Sequence, residues 1–339
     1  TVVHNTALGP GKGGIRMSPS VGVEEVYRLA ETMTWKNALA GIPFGEAKSG
    51  IIADDRKITQ EEKDSIVAAF SKAIKQIAPE IYIAGPDMNM AEHEMEIFAN
   101  ANGDKKSCTG KPAEMGGLPH ELGSTGFGVY HSILVAIEHL GLNPEELTVA
   151  IEGFGNVGTF VMQFLTEKNI KVVAVSDSKG TIYDKNGLDY EKLMKVKNET
   201  GSIVNYEGAE KKDDLLSLDV DILVPAAVPD LITDENKDSI KAKIISCGSN
   251  LPISEEIEEE FHQKNMLVIP DFVANAGGVI SSYVETIEGT PEEMFKIVEE
   301  KITTNTKEML ERSKSDNIKP RDAAMKIAEE RVGAEMKNV

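Results

Sequence analysis

Three glycines constrain this chain more than any other feature. In the segment TVAIEGFGNVGTFVMQFL, Gly153, Gly155 and Gly158 follow an apolar run, Val149 to Glu152, and lead into a helical pattern. A strand, a glycine turn and a helix in that order give the spacing its meaning, since a lone G-x-G-x-x-G is weak. Glycine permits the tight turn and lets backbone N–H groups at the helix start approach a pyrophosphate. Asn156 and Val157 lie inside the same turn. The next apolar run ends at Asp177, 19 residues after Gly158, where an acidic side chain accepts hydrogen bonds from an adenosine ribose. Asp177 would repel a 2′-phosphate, whereas Ser178 and Lys179 offer groups that bind one. The expectation is NAD or NADP, with a slight lean to NAD.

Around this turn the chain reads as strands alternating with helices. Apolar runs at 149–152, 172–176, 221–224, 244–246 and 266–269 are separated by helical segments, the pattern of a parallel sheet covered on both faces. Residues 181–184, followed by the turn DKNG, read as an added arm. The first part has a different rhythm. It reads as a strand in residues 1–8, a helix over 20–39, a strand over 47–53, a helix opened by the Thr59–Glu62 capping signal and running to about Ile77, a short strand at 81–84 and a helix over 91–100. Residues 101–123 read as a hinge loop, and a helix over 125–140 ends at Gly141. From Pro291 the chain is helical, with a break near 317–320. A length of 339 residues suits two domains.

Composition narrows the function. A net charge of −20 argues against a basic nucleic-acid surface. There is no apolar run long enough for a membrane helix and no signal-peptide pattern at residues 1–10. Cys108 and Cys247 are too few for a disulfide framework or a zinc site, which points to a reducing cytoplasm. The six histidines show no paired spacing, so no metal is expected.

Two lysines twelve residues apart, Lys36 and Lys48, stand in TMTWKNALAGIPFGEAKSGII. Trp35, Ile42, Pro43, Phe44 and the glycines around them desolvate an ammonium, which lowers its pKa and makes it usable as an acid or base. With HNTALGPGKGGIRM upstream and GPDMNM, GSTGFGV, GFGNVG and ANAGGV downstream, in order over nearly the whole chain, the sequence resembles the glutamate/leucine/phenylalanine/valine dehydrogenase family.

The resemblance implies an α/β protein of two domains. Residues 1–124 would form an N-terminal α/β domain for substrate binding and oligomerisation. Residues 125–319 would form a Rossmann-type dinucleotide-binding domain with a parallel-rich sheet, and a terminal helix, about 320–339, would return to the first domain. It implies reversible oxidative deamination of an L-amino acid with hydride passing to the nicotinamide. By the same resemblance, Lys36 holds the α-carboxylate, Lys48 is the catalytic lysine and Asp87 the proton-shuttling carboxylate. Asn275 and Val279 help fix the substrate. Asn250 stands near the nicotinamide ribose, and Thr125 completes the pocket or touches the cofactor. Lys12 and Ser282 match positions that address a side-chain carboxylate, so the implied substrates are L-glutamate, 2-oxoglutarate and ammonium. Homo-oligomeric assembly, a hexamer by resemblance, is expected, with no nucleic-acid or membrane partner. Two alternatives stay open: a dehydrogenase of leucine or phenylalanine type, and a catalytically weakened regulatory homologue. The second arises because Glu46 and Ser49 stand where glycines are common, and a carboxylate two residues from Lys48 would blunt the base if it faced it.

Overall fold

The computed structural model describes residues 1–119 and 122–336, the side chains at 32 and 33 apart. Residues 120, 121 and 337–339, within the expected hinge and terminal helix, lie outside the described residues. The chain divides into two compact units, one drawn from Thr1–Leu122, Gly278–Ile297 and Met325–Val339, the other from Gly123–Gly277 and Val298–Ala324.

The first unit opens with β1 (Val2–Asn5), β2 (Gly11–Met17), α1 (Val23–Ala40), β3 (Gly45–Ile51), α2 (Gln60–Ala73), β4 (Tyr82–Pro86) and α3 (Glu92–Asn102). Its sheet runs β1-β3-β2-β4, with β2 parallel to both neighbours and β1 antiparallel at the edge. The segment GKGGIRM, to which the sequence pattern assigns no element, is a strand flanked on both sides. Its glycines are there for space: a Cβ at Gly13 would lie 1.4 Å from the carbonyl oxygen of Ala47. Strand alternation then sorts the side chains. Ile15, Met17, Ala47, Tyr82 and Ala84 enter one core with Met95 and Phe98. Lys12, Glu46, Lys48 and Gly85 fall on the opposite face, the side on which α1 packs on β3. The Thr59–Glu62 signal is realised in full, each side chain bonding the other's backbone N–H, although α2 ends at Ala73 rather than Ile77.

The second unit contains α4 (Ser124–Leu140), β5 (Thr148–Glu152), α5 (Asn156–Glu167), β6 (Lys171–Asp177), β7 (Gly180–Tyr183), α6 (Tyr190–Thr200), β8 (Glu210–Lys212), β9 (Ile222–Pro225), β10 (Ile244–Ser246), α7 (Glu255–Gln263), β11 (Leu267–Ile269) and α8 (Asp271–Ala274). The sheet order is β11-β10-β9-β5-β6-β7-β8, parallel from β11 to β6 and antiparallel over the last two strands. The reversal of strand order beside β5 puts the glycine turn at a switch point of the sheet. Three helices close the chain: α9 (Gly277–Thr286), α10 (Pro291–Asp316) and α11 (Pro320–Met336). Gly278–Ile297 groups with the first unit, whereas the sequence boundary assigns it to the nucleotide domain. The reason is local. Glu285 of α9 accepts from the backbone N–H of Gly110 at 2.9 Å and of Leu118 at 3.1 Å, and pairs with the ammonium of Lys111 at 2.5 Å.

Candidate functional site

In the first unit the polar face of the sheet gathers charge. The Nζ of Lys48 lies 2.9 Å from Oδ2 of Asp87, and the same oxygen accepts from Nε of Arg16 at 3.0 Å. Burial raises the Asp87 pKa, but the cations of Lys48 and Arg16 outweigh it and hold the carboxyl below its ordinary range. At rest, therefore, Asp87 is an anion between two cations. Lys36 lies half-buried on α1. Glu46 does not face Lys48: its carboxyl meets Thr34 and Asn37 of α1 instead.

Lys12 differs from the other lysines. It is 6 % exposed, its Nζ donates to the carbonyl of Ala84 at 3.1 Å, and among the described residues no carboxylate comes within ion-pairing distance. Burial pushes its pKa down to about 8; Glu285 and Cys108 oppose that, while Lys48 and Lys111 add to it. A glycine makes room for the ammonium. A Cβ at Gly85 would lie 2.5 Å from Lys12 Nζ and 3.6 Å from Thr109 Oγ1. That hydroxyl is buried and has no hydrogen-bond partner. A buried ammonium with one carbonyl partner and a neighbouring orphaned hydroxyl is a setting that an anionic group would satisfy. Val279 and Ser282 are half-buried one turn apart on α9, and Glu285, which acts on Lys12, is a further turn along.

In the second unit the glycine turn has the shape that its sequence implies. Gly153 has φ +90°, and a Cβ at Gly158 would lie 2.0 Å from the Gly153 carbonyl oxygen. Gly155 caps α5, and a Cβ there would meet nothing within 4 Å. Gly155 thus leaves room at the N-terminus of α5, where the first turn's backbone N–H groups have no partner within the helix, a setting that fits a pyrophosphate. Asp177 ends β6, as expected, but its carboxylate is already employed. It accepts from Ser202 Oγ at 2.6 Å, Ile203 N–H at 2.9 Å and Lys179 N–H at 2.8 Å. Burial raises its pKa, and these bonds more than reverse that. Ser178 beside it is exposed. The ammonium of Lys197 bonds the carbonyl of Phe154 within the glycine turn and feels the charge of Asp177. Asn250 and Asn275 are brought together, the amide of Asn275 donating to Asn250 Oδ1 at 3.0 Å and to the Gly248 carbonyl at 3.3 Å. Thr125 is half-buried near the start of α4, where Gly277 packs so tightly that a Cβ would lie 2.0 Å from the Ser124 carbonyl.

The family model described as glutamate/leucine/phenylalanine/valine dehydrogenase matches residues 116–339, and the family's dimerisation-domain model matches residues 1–102. The chain belongs to this family. Glutamate dehydrogenase from Aeropyrum pernix is 43% identical to it over 98% of this chain and 84% of the relative. The NADP-specific glutamate dehydrogenase from Saccharolobus shibatae is 37% identical over 98% and 83%. Among solved structures, the leucine-bound hetero-hexameric glutamate dehydrogenase from Thermus thermophilus superimposes with a TM-score of 0.86 at 26% identity, over 98% of this chain and 82% of that one.

For this member of the family, the residues that sequence reasoning missed are those whose signal is small or distant. Gly85 and Thr109 matter through space and an unsatisfied hydroxyl, which no pattern of residue types announces. Lys111 and Glu285 lie 174 positions apart and meet only in the fold. Lys197 sits on a solvent-facing helix pattern, and only its contact with the Phe154 carbonyl singles it out. Among the described residues no group of three or more His, Cys, Asp or Glu side chains is arranged to hold a metal ion, and no helix is long and apolar enough to cross a membrane.

Proposed function

We propose that this chain is an NAD(P)-dependent glutamate dehydrogenase that interconverts L-glutamate with 2-oxoglutarate and ammonium. The observation that carries the substrate assignment is Lys12: a buried ammonium near an orphaned hydroxyl, suited to a side-chain carboxylate and costly to leave facing a leucine or phenylalanine side chain. Ser282 and Val279 line the same end of the substrate, and Lys36 takes the α-carboxylate at the other. Lys48 polarises the carbonyl or activates the attacking water. Asp87, held ionised by Lys48 and Arg16, accepts the proton from the substrate nitrogen and returns it. Asn275 orients the substrate while it steadies Asn250.

The dinucleotide lies on the turn of Gly153, Gly155, Asn156, Val157 and Gly158, with Asp177 and Ser178 at the adenosine ribose and Thr125 and Asn250 toward the nicotinamide. When bound, it supplies the hydride acceptor and donor. Asp177 favours NAD, and Lys197 is the nearby cation that would take a 2′-phosphate. We assign no metal to the reaction. The assembly is a homo-oligomer, a hexamer by analogy with its relatives, working in the cytoplasm. The test is absorbance at the reduced-nicotinamide band with 2-oxoglutarate, ammonium and NADH or NADPH. Oxidation with neither cofactor, or oxidation with 2-oxoisocaproate or phenylpyruvate but not 2-oxoglutarate, would overturn the assignment.

A further inference from the structure

Glu46 is the chain's own departure from a motif in which glycine is common, and it is almost wholly buried at 1 % exposure. Its surroundings are specific. The carboxyl meets the hydroxyl of Thr34 and the amide of Asn37, both buried on α1. Thr34 is in turn held by Nδ1 of His4 on β1, at 2.8 Å. Asn37 spends its Nδ2–H on the carbonyl of Gly45, the residue before Glu46, at 3.1 Å. Two acceptors in this cluster are left with no donor: Oε1 of Glu46 and Oδ1 of Asn37. Buried acceptors without donors are costly. A proton on Oε1 would turn one of these acceptors into a donor, and Asn37 Oδ1 is an unfilled acceptor on a residue that the carboxyl meets.

We infer that Glu46 is a positioning residue which, as the neutral acid, ties β3 to α1 and so fixes Lys48 relative to Lys36. Asn37 directly follows Lys36, and Glu46 stands two residues before Lys48, so the bond joins the two elements that carry these lysines. The proposal rests on the reading that both lysines serve one substrate. Burial raises the Glu46 pKa to about 8, against the opposing bonds from Thr34 and Asn37. The elements packed on β3 carry His4 on β1, Lys12 and Arg16 on β2, Glu24, Glu25, Tyr27, Arg28, Glu31 and Lys36 on α1 and Tyr82 on β4, with Lys48 on β3 itself. Oε1 of Glu46 has no donor among them: His4 bonds Thr34, Lys12 turns to Ala84, Lys48 and Arg16 pair with Asp87, and Tyr82 donates to the Gly13 carbonyl.

The sign follows from linkage. The unfolded chain releases the Glu46 proton near 4.5 and the fold keeps it to about 8. Stability from this group is full below the lower value, falls through that window and levels off above it. The tie itself breaks only as pH rises past about 8. The experiment compares the full-length parent with Glu46→Gln, a permanent mimic of the neutral acid, and with Glu46→Gly, the common residue at this position, as a second variant in case the first fails to fold. Melting temperature is followed from pH 5 to 10, with amide hydrogen exchange of β3 and α1 at pH 6.5 and 9 and kcat and KM for glutamate over the same range. The parent should lose melting temperature relative to Gln between pH 5 and 8. Its β3 amides should lose on the order of tenfold more protection by pH 9, and its KM should rise at least threefold where that of Gln stays level. In the Gly variant β3 exchange, corrected for intrinsic rates, should not depend on pH. Parent and variant profiles that coincide at every pH would overturn the proposal. Absence of glutamate turnover would instead count against the substrate assignment, and the melting and exchange profiles would still decide the role of Glu46.

Discussion

Replacing Lys12 by methionine should separate function from stability in opposite directions. Methionine keeps the length and roughly the volume of the side chain and removes the charge. Lowering the ammonium pKa from 10.5 to about 8, at about 1.4 kcal/mol per pH unit, corresponds to about 3 kcal/mol of stability spent on burying the cation. The sign is that of a base whose pKa falls on folding. The penalty is complete below pH 8 and disappears as pH rises from there to 10.5, because the folded state sheds its proton first. Lys12→Met should therefore raise the melting temperature by several degrees at pH 7, with the gain shrinking above pH 8. Glutamate pays for the loss. Truncating one side of a buried charged contact costs roughly 2–5 kcal/mol, so kcat/KM for glutamate should fall by about 30- to 5,000-fold. For norleucine, which has no distal carboxylate, it should rise. The assay is steady-state kinetics on both substrates from pH 6.5 to 10, beside thermal unfolding. In the parent, kcat/KM for glutamate should also decline above pH 8 as Lys12 loses its proton. An unchanged glutamate-to-norleucine ratio would refute the placement of the pocket. A variant less stable than the parent at pH 7 would refute the claim that Lys12 is held in place at a cost.

Asp87→Asn keeps the shape of a group that bridges Lys48 and Arg16 but removes its proton acceptor, so kcat should fall on the order of 10²-fold with nucleotide affinity retained, measured by NADH fluorescence titration. Gly158→Ala places a methyl 2.0 Å from the Gly153 carbonyl oxygen, and should abolish NADH binding and lower the melting temperature of the second unit in a calorimetric scan. Asp177→Asn should shift the kcat/KM ratio toward NADPH by about tenfold, the effect of roughly 1.4 kcal/mol of relieved like-charge repulsion; a ratio that stays put means that the carboxylate serves only Ser202, Ile203 and Lys179.

Much of this arrangement is legible in the sequence, and the exceptions have physical causes. The parallel strands of the second unit are continuous apolar runs bounded by breakers, so β5, β6, β9, β10 and β11 fall within a residue or two of their expected places. β2 hides because its glycines weaken strand propensity, although they are what lets it lie beside β3. β8, with the sequence EKK, is a mostly exposed edge strand with no apolar alternation to reveal it. Sequence alone singled out Lys36 and Lys48 for their apolar setting and gave no sign that burial depresses the pKa of Lys12, which lies in a strand that the pattern did not show. Glu46 was legible as an intruder in a glycine motif, but its direction was not, since only the packing of α1 on β3 decides which neighbours it meets.

Arg331 has a consequence for how the chain is made. Its guanidinium bonds the carbonyls of Ala38 and Leu39, which end α1, the helix that carries Lys36. Nearly three hundred positions separate donor and acceptors. On a ribosome, α1 emerges early with Gly41 to cap it, but its last carbonyls wait for the Arg331 guanidinium until α11 has followed. The nucleotide-binding sheet, contained in the continuous stretch Gly123–Gly277, has all its strands well before then. The usual order of synthesis is thus inverted, so that the half beginning at residue 1 is the last to be completed. A premature stop ahead of residue 331 would then spare every strand of the dinucleotide-binding sheet and leave the carbonyls of Ala38 and Leu39, at the end of the helix bearing Lys36, without this guanidinium.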